Sequence, residues 1–317
     1  MGCFSSKSPA KKPSKSKEQK PLENESVHME NAPAPAAKPN LEVVKPKPVE
    51  PKPPNPRPSG PVKRPLSYPN IAFLSARKAL VYDCGKQAWK SPIALQSPLQ
   101  LTEGSAWLWL PDTQLLYLEG GSPLASCLDL TNGSATPLNP MTQTRSFPGL
   151  AYYEGRALVF GGVPTASAEQ YDLNQKAWAP LPNMHSPRSK FNPCLYTTLV
   201  YLCGGSTWSA EIFNIPQNKY SALGFSIPDA ADACAVVVDS AVMIVSHDFL
   251  SKWSLDSEEL TVRPRTLASE CWSSTPPVQV GNFVYILVRD QVVQMDLTSA
   301  AHTIVENDEG PRILASY

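Results

Sequence analysis

The chain contains six copies of a short strand pattern that recurs at a nearly constant spacing. In every copy a large residue stands directly before Asp, Asn or Ser. The large residues, separated by 46, 43, 42, 40 and 42 positions, are Tyr82, Leu128, Tyr171, Phe213, Trp253 and Met295. A period of about 40 to 50 residues with strands in every copy is typical of β-propeller blades. The sequence therefore predicts an all-β, six-bladed propeller.

The third copy carries the fullest version of the pattern. A hydrophobic strand at 157–160 comes first, and the marker residues that follow it are Gly161, Gly162, Glu169, Tyr171, Asp172 and Trp178. This order of a strand, a glycine pair, Glu-x-Tyr-Asp and a later Trp resembles the kelch repeat. The resemblance implies a kelch-type β-propeller, a scaffold that supports many unrelated functions.

Glycine pairs keep the same period in three of the six copies. The pairs at 120–121, 161–162 and 204–205 are 41 and 43 residues apart. Glycine adopts the positive φ of a sharp turn at little cost, which explains its place at the end of a strand. Ser-His at 246–247 and Arg-Asp at 289–290 replace the pair in the last two copies, and the first copy has none. Those three blades are predicted from their strand pattern alone.

The repeats occupy residues 66–317, which divide into six blades of 42 residues. The first copy starts with the strand at 71–74 and lacks the strand that precedes this position in later copies. An apolar segment, 312–317, stands at the other end of the repeat region. We expect it to supply the missing strand of the first blade, because closing the ring removes free strand edges.

Composition changes completely before residue 66. Residues 1–65 hold 15 of the 34 prolines, with 13 Lys and Arg against 6 Asp and Glu. Such a segment buries too little apolar area to offset the entropy of ordering, so we expect a disordered Pro/Lys-rich tail. We divide it into a basic anchor at 1–20 and a proline-rich linker at 21–65. Since the whole chain is neutral, the propeller carries a net charge of −7, which argues against nucleic acid as a partner.

The first six residues, Met-Gly-Cys-Phe-Ser-Ser, fit the pattern for N-myristoylation at Gly2. Cys3 stands where a palmitoyl group is commonly added, and the motif resembles the amino termini of dual-acylated kinases and G-protein α subunits. One myristoyl chain binds membranes weakly, on the order of 10⁴ M⁻¹, so anchoring needs a second signal. Acidic lipids would attract the lysines that follow: Lys7, Lys11, Lys12, Lys15, Lys17 and Lys20. The sequence predicts attachment to the cytoplasmic face of a membrane, with a chance match in an untargeted tail as the alternative.

No linear motif for catalysis or metal binding is present in the sequence. The histidines lie in the tail and in separate blades, without a Cys or Glu partner at ligand spacing: His28, His185, His247 and His302. The seven cysteines form no Cys-x-x-Cys pair, which favours buried, reduced thiols over disulfides or a metal site. We therefore expect no enzymatic activity, no cofactor and no metal.

Three residues in the loops are candidates for partner binding. Arg145 and Arg188 are 43 residues apart and occupy equivalent places in successive blades. Such a pair on one rim suits a carboxylate or phosphate, whereas bonding to carbonyl groups of a neighbouring blade is the favoured alternative. Trp208 lies in a turn, where an exposed indole is a typical interface anchor. Packing of this indole back onto its own blade is an equal alternative.

These patterns together predict a non-enzymatic interaction module or scaffold. We expect a monomer that binds a protein partner through its propeller loops and acidic lipids through its amino terminus. A soluble cytosolic kelch scaffold, for example a cytoskeletal one, is the first alternative. A propeller-fold enzyme is the second, because propellers gather residues that are distant in sequence around one axis.

Overall fold

The computed structural model describes residues 70–163, 165–228, 231, 233–264, 275–288 and 291–305. These residues form six antiparallel sheets that follow one another along the chain, and they contain no helix. The predicted six-bladed β-propeller is confirmed. The tail predicted at 1–65 lies outside the described residues.

The first three sheets, blades 1 to 3, hold strands β1 to β12. Blade 1 contains β1 (Asn70–Leu74), β2 (Lys78–Asp83), β3 (Ala88–Trp89) and β4 (Ile93–Ala94). Blade 2 contains β5 (Ala106–Leu110), β6 (Gln114–Leu118), β7 (Ala125–Asp129) and β8 (Ser134–Pro137). Blade 3 contains β9 (Gly149–Tyr153), β10 (Arg156–Phe160), β11 (Ala168–Asp172) and β12 (Ala177–Leu181).

The last three sheets, blades 4 to 6, hold strands β13 to β24. Blade 4 contains β13 (Cys194–Tyr196), β14 (Leu199–Cys203), β15 (Ser209–Asn214) and β16 (Lys219–Ser226). Blade 5 contains β17 (Cys234–Val238), β18 (Ala241–Val245), β19 (Phe249–Ser254) and β20 (Leu260–Pro264). Blade 6 contains β21 (Val278–Val280), β22 (Phe283–Val288), β23 (Gln291–Asp296) and β24 (His302–Val305).

In each copy, the large residue and the Asp, Asn or Ser that follows it have separate structural roles. The large residue is buried in all six blades and belongs to the apolar clusters between sheets. The polar residue after it accepts a backbone N–H from the following turn, as Asp172 does from Asn174 and Gln175 at 2.8 Å each. The same bond is made by Asp83, Asp129, Asn214, Ser254 and Asp296. A side-chain acceptor of this kind fixes a tight turn, which explains the repeated Asp, Asn or Ser.

Neighbouring blades pack face to face around the whole ring. One apolar cluster joins blades 6, 1 and 2, and four others join the remaining neighbours. Blade 6 contacts blade 1 directly, because the rings of Tyr82 and Tyr285 are 6.1 Å apart and the Gln87 amide donates to the Tyr285 hydroxyl at 3.2 Å. The Trp107 indole donates to the Ala72 carbonyl at 3.0 Å, which ties blade 2 to blade 1.

Blade 1 differs from the other five blades in the part of the chain that the structure describes. Strands β3 and β4 both pair with β2, so they form one interrupted outer strand, while β1 pairs with β2 on its other side. This gives three strand positions, where each other blade has four. The segment 312–317, predicted to supply the missing strand beside β1, lies outside the described residues.

The propeller has two faces with different connections. One face, which we call the turn face, holds the turns between the first and second and between the third and fourth strands. It is rich in acidic residues: Asp83, Asp112, Asp129, Glu154, Asp172, Asp239, Asp256, Glu258, Glu259 and Asp296. The opposite face, which we call the loop face, holds the loops between second and third strands and the linkers between blades.

Candidate interaction surface on the loop face

The candidate site is the part of the loop face formed by blades 2 to 4. Its three loops are 119–124, 161–167 and 204–208, and its three linkers are 95–105, 138–148 and 182–193. The glycine pairs lie at the start of these loops. All of these glycines except Gly120 have the positive φ angle that the sequence predicted.

Arg145, in the linker before blade 3, is buried in the blade that follows it. Its side chain is 1% exposed, and its Nε donates to Glu169 Oε1 at 3.0 Å. One terminal nitrogen donates to the carbonyl oxygens of Gly161 and Ser167 at 2.6 and 2.9 Å, and the other donates to the Ser167 hydroxyl at 2.9 Å. A buried ion pair with these additional hydrogen bonds therefore joins the linker to both ends of the loop.

Arg188 repeats this arrangement one blade later. It is also 1% exposed, and its Nε donates to Glu211 Oε1 at 3.0 Å. Its terminal nitrogens donate to the Gly204 and Ser209 carbonyls at 2.9 and 2.6 Å and to the Ser209 hydroxyl at 2.8 Å. The structure thus gives both arginines the carbonyl-binding role that the sequence favoured, and neither guanidinium lies on an exposed rim.

The second oxygen of each buried carboxylate binds the same linker. Glu169 Oε2 accepts from the backbone N–H and the hydroxyl of Thr142, both at 2.9 Å. Glu211 Oε2 accepts from the backbone N–H of His185 at 3.0 Å and lies 2.7 Å from its Nδ1. Sequence reasoning missed both carboxylates as partners of the arginines. The sequence did contain a signal for these pairs, because blades 3 and 4 both combine an Arg in the preceding linker with a Glu in the third strand.

Backbone hydrogen bonds connect each loop to an adjacent linker, which is the following linker for blades 2 and 3 and the preceding linker for blade 4. The Gly121 N–H donates to the Arg145 carbonyl at 2.8 Å, and the Gly162 N–H donates to the Arg188 carbonyl at 2.7 Å. In blade 4 the Ser206 N–H donates to the Ser189 carbonyl at 3.1 Å. The loops are therefore held on both sides, which makes this face a preorganised surface.

Trp208 projects from the loop of blade 4 into solvent. Its side chain is 69% exposed, while its carbonyl accepts from the Ile227 N–H at 2.7 Å. Val163 and Leu124, in the corresponding loops of blades 3 and 2, are 51% and 54% exposed. Of the two roles predicted for Trp208, the structure gives the exposed one. The sequence did not single out Leu124 or Val163.

The linkers adopt a repeated left-handed backbone next to the inner strands. Gly104, Phe147 and Lys190 have φ angles of +81°, +57° and +55° and stand 43 residues apart. The Phe147 N–H donates to the Gly104 carbonyl at 2.7 Å, and the Lys190 N–H donates to the Phe147 carbonyl at 3.0 Å. Lys190 Nζ lies 5.2 Å from the centre of the Phe147 ring. This geometry is costly for residues other than glycine, so the surrounding bonds must enforce it.

Burial raises the thiol pKa of four of the described cysteines. Burial raises the pKa of Cys84 and Cys203 to about 12, so both stay protonated at neutral pH. Burial also raises the pKa of Cys194 and, in the partly exposed strand β7, that of Cys127. Within the described ranges, His, Cys, Asp and Glu form no group of three that suits a metal ion.

The predicted lipidation and membrane-binding residues lie outside the described ranges. They are Gly2, Cys3, Lys7, Lys11, Lys12, Lys15, Lys17 and Lys20. In the described part of the chain, no helix combines the length and hydropathy that a membrane span requires.

No family model matches the chain, and no curated protein matches it significantly. The fold and the loop face define a repeat protein of the β-propeller class, which commonly mediates protein interactions.

Proposed function

We propose that the chain is a kelch-type propeller that serves as a non-enzymatic, monomeric protein-interaction module tethered to the cytoplasmic face of a membrane. The partner binds the loop face, acidic lipids bind the amino terminus, and nucleic acid is not a partner. The observation that carries the interaction role is the 69% exposed Trp208 on a loop that is fixed at both ends.

Energetics support Trp208 as an anchor for a partner. A large rigid aromatic side chain loses little conformational entropy on binding, and Trp is enriched among the residues that dominate interface affinity. The fixed backbone of its loop lowers the ordering cost further. The apolar neighbours on the other two loops extend the surface to blades 2 and 3.

The amino-terminal motif supports the tether. Gly2 and Cys3 fit dual acylation, and the six lysines of the anchor segment add attraction to acidic lipids. Two membrane signals together give stable attachment, whereas one acyl chain binds reversibly. The proline-rich linker at 21–65 is long enough to let the propeller reach partners away from the bilayer.

Membrane fractionation with acylation variants tests the tether. We expect Gly2→Ala to release most of the protein to the cytosol, because the first acyl group is lost. Cys3→Ser should leave weak, reversible binding through one acyl chain and the lysines. Membrane retention of Gly2→Ala equal to that of the unmodified sequence would refute myristoylation as the anchor.

Proximity labelling from the intact, anchored protein tests the interaction role. We expect Trp208→Ser to lose a specific set of labelled neighbours that Phe283→Ser keeps. Phe283 is a matched control, because it is exposed and aromatic but lies on the turn-face end of β22. Identical labelling by both variants would contradict a partner site at Trp208.

A further inference from the structure

The outer strand of blade 5, β20, has the largest share of exposed residues among the described outer strands. Residues 261–264 are all exposed, and the Val262 side chain among them is 36% exposed. In the part of the chain that the structure describes, β20 pairs only with β19, so its other edge carries unpaired backbone groups. An exposed edge of this kind is a template for pairing with another strand.

The other outer strands carry features that hinder such pairing. Pro180 interrupts β12, and β8 ends at Pro137 as its fourth residue. The outer strand of blade 1 is divided into two pieces of two residues, and the pairing of β16 shifts register opposite Ser209 and Glu211. Strand β24 is only four residues long. Short strands, prolines and bulges protect edges, whereas β20 has five residues in continuous register and its proline stands last.

Hydrogen bonds in the hairpin of β19 and β20 show which backbone groups point outward. The Ser254 N–H donates to the Glu259 carbonyl at 3.0 Å, and bonding toward β19 then alternates along the strand. Thr261 therefore bonds to β19, while Leu260 and Val262 direct their N–H and carbonyl groups away from the sheet. An antiparallel neighbour must form its hydrogen bonds with these two residues.

The segment 259–263 is complementary to itself. When two copies pair antiparallel around Thr261, each Leu260 exchanges backbone hydrogen bonds with Val262 of the second copy. In the same register, each Glu259 lies opposite Arg263 of the second copy. Positions 259, 261 and 263 share one face, so opposite charges meet there and apolar side chains meet on the other face. Within the described ranges, Glu259 and Arg263 are exposed and belong to no ion pair.

Other registers of the same pair lose these contacts. A shift of two residues in one direction places Pro264, which has no N–H, opposite Leu260. The shift in the other direction places Ser257 opposite Arg263, so the charges no longer meet. A shift of one residue moves every side chain to the opposite face. The register around Thr261 is therefore the one that keeps both the backbone bonds and the charge pairs.

We propose that the outer edge of β20 binds the same edge of a second copy of this chain, as an antiparallel two-fold pair with Thr261 on the axis. The second copy is a partner beyond the one proposed for the loop face. Five residues a side is small beside a standard interface of about 20 to 30 residues a side, so the dilute chain stays the monomer proposed above. Pairing becomes populated where the chain is concentrated, as a membrane tether does.

Disulfide cross-linking of the full-length chain in concentrated solution tests this pair. In the proposed register Thr261 faces itself at a Cα separation of about 4.5 Å, which a disulfide can span. We expect Thr261→Cys to form about tenfold more cross-linked dimer than Thr303→Cys under mild oxidation. Thr303 is the matched control, because it is exposed and holds the same place in β24. The unmodified sequence gives the background from native cysteines, and equal cross-linking of the two variants overturns the proposal.

Exchange of charges tests the register separately in the Thr261→Cys background. Glu259→Arg and Arg263→Glu each place like charges opposite one another, so each variant alone should form about tenfold less dimer. Lys252, opposite Thr261 on β19, lies on the same face and is the same in both variants. An equimolar mixture of the two variants brings opposite charges together again and should recover the dimer.

Two outcomes of the charge experiment and of cross-linking in cells overturn self-pairing. The first is a mixture that forms no more dimer than either variant alone, while thermal unfolding shows that both are folded. The second is cross-linking of Thr261→Cys to a different protein in cells without cross-linking to itself, which assigns the edge to that protein. Neither outcome depends on the lipid anchor, because the solution experiment uses the chain without a membrane.

Discussion

Blades 3 and 4 differ from blade 5 in their polar interior and not in their apolar framework. Tyr171, Phe213 and Trp253 occupy the same buried position in the three blades. Two residues earlier, blades 3 and 4 have a buried glutamate paired with an arginine, whereas blade 5 has the buried Ser251. The linker before blade 5, 227–233, contains no arginine.

The loops of the two kinds of blade are fixed by different contacts. In blade 5, Ser246 stands in place of the first glycine. Its N–H and hydroxyl donate to the Phe249 carbonyl at 3.0 and 3.1 Å, and the hydroxyl also lies 3.5 Å from the Pro228 carbonyl oxygen of the preceding linker, with no ion pair. In blades 3 and 4 the arginine joins the loop to the linker. The comparison shows that the apolar repeat is sufficient to form a blade. The ion pairs add a fixed connection between the linker and the loop of the following blade, beneath the exposed loop residues.

The largest effect should come from removing part of the apolar framework. Deletion of 312–317 removes the segment predicted to supply the missing strand of blade 1 beside β1, with its apolar residues Ile313, Leu314 and Tyr317. Burial of three such side chains contributes about 5 kcal/mol, so urea unfolding should show a loss of that order. A deletion variant as stable as the full chain would contradict closure by this segment.

Breaking one ion pair should have the next largest effect. Arg188→Met leaves the buried Glu211 carboxylate without its guanidinium, and loss of one partner of a buried pair costs about 3 to 5 kcal/mol. Ser251→Ala, the corresponding change in blade 5, should cost less than about 1.5 kcal/mol. The double variant Arg188→Met/Glu211→Leu should recover much of the loss, since no unpaired charge remains. Equal costs for Arg188→Met and Ser251→Ala would remove the distinction between the blades.

Changing one glycine of the pair should have an intermediate effect. Gly161 has a φ of +62°, and a Cβ placed there would lie 2.3 Å from the Arg188 carbonyl oxygen. Gly161→Ala should therefore cost about 1 to 3 kcal/mol. Gly224→Ala in β16 is the matched control, because an added Cβ would meet no atom within 4 Å and the φ of Gly224 is not positive. This control should leave the free energy of unfolding nearly unchanged.

The smallest effect should be a change in the labelling of the Cys203 thiol, next to the loop of blade 4, when Arg188 is replaced. Burial raises the pKa of Cys203 to about 12, so the native thiol should resist alkylation from pH 7 to pH 9. Cys203 directly precedes Gly204, whose carbonyl binds Arg188. Arg188→Met should therefore increase labelling of Cys203 but not of Cys84 in blade 1, as followed by mass spectrometry. Equal protection of Cys203 in both forms would show that the ion pair does not hold this loop closed.

The sequence predicted the blades because their signal is periodic and local. The large residue of each copy marks a buried strand position, and the glycine pairs mark positive φ at strand ends. The partners of the arginines were not predictable in this way, because Arg145 and Glu169 are 24 residues apart and belong to a linker and a strand of the next blade. The left-handed backbone of Phe147 gave no sequence signal either, since it is imposed by hydrogen bonds between linkers.

The sequence also could not predict whether the Trp208 side chain is exposed. Its turn permits both an exposed and a folded-back indole, and only the packing of the surrounding loops decides between them. The structure leaves the indole in solvent and fixes the backbone beneath it. Composition and motifs alone predicted the lipid anchor and its lysines, so that part of the function stays a prediction.

Residue-resolved hydrogen exchange in the Arg188→Met variant tests most directly whether the ion pairs fix the loop face. The informative amides are Gly162 and Ser206, which donate to the linker that carries Arg188, with the Ser246 amide of blade 5 as the internal control. We predict that Gly162 and Ser206 exchange slowly in the unmodified sequence and much faster in the variant, while Ser246 is unchanged. Unchanged protection at Gly162 and Ser206, or equal acceleration at all three amides, would show that the ion pairs do not fix the loop face.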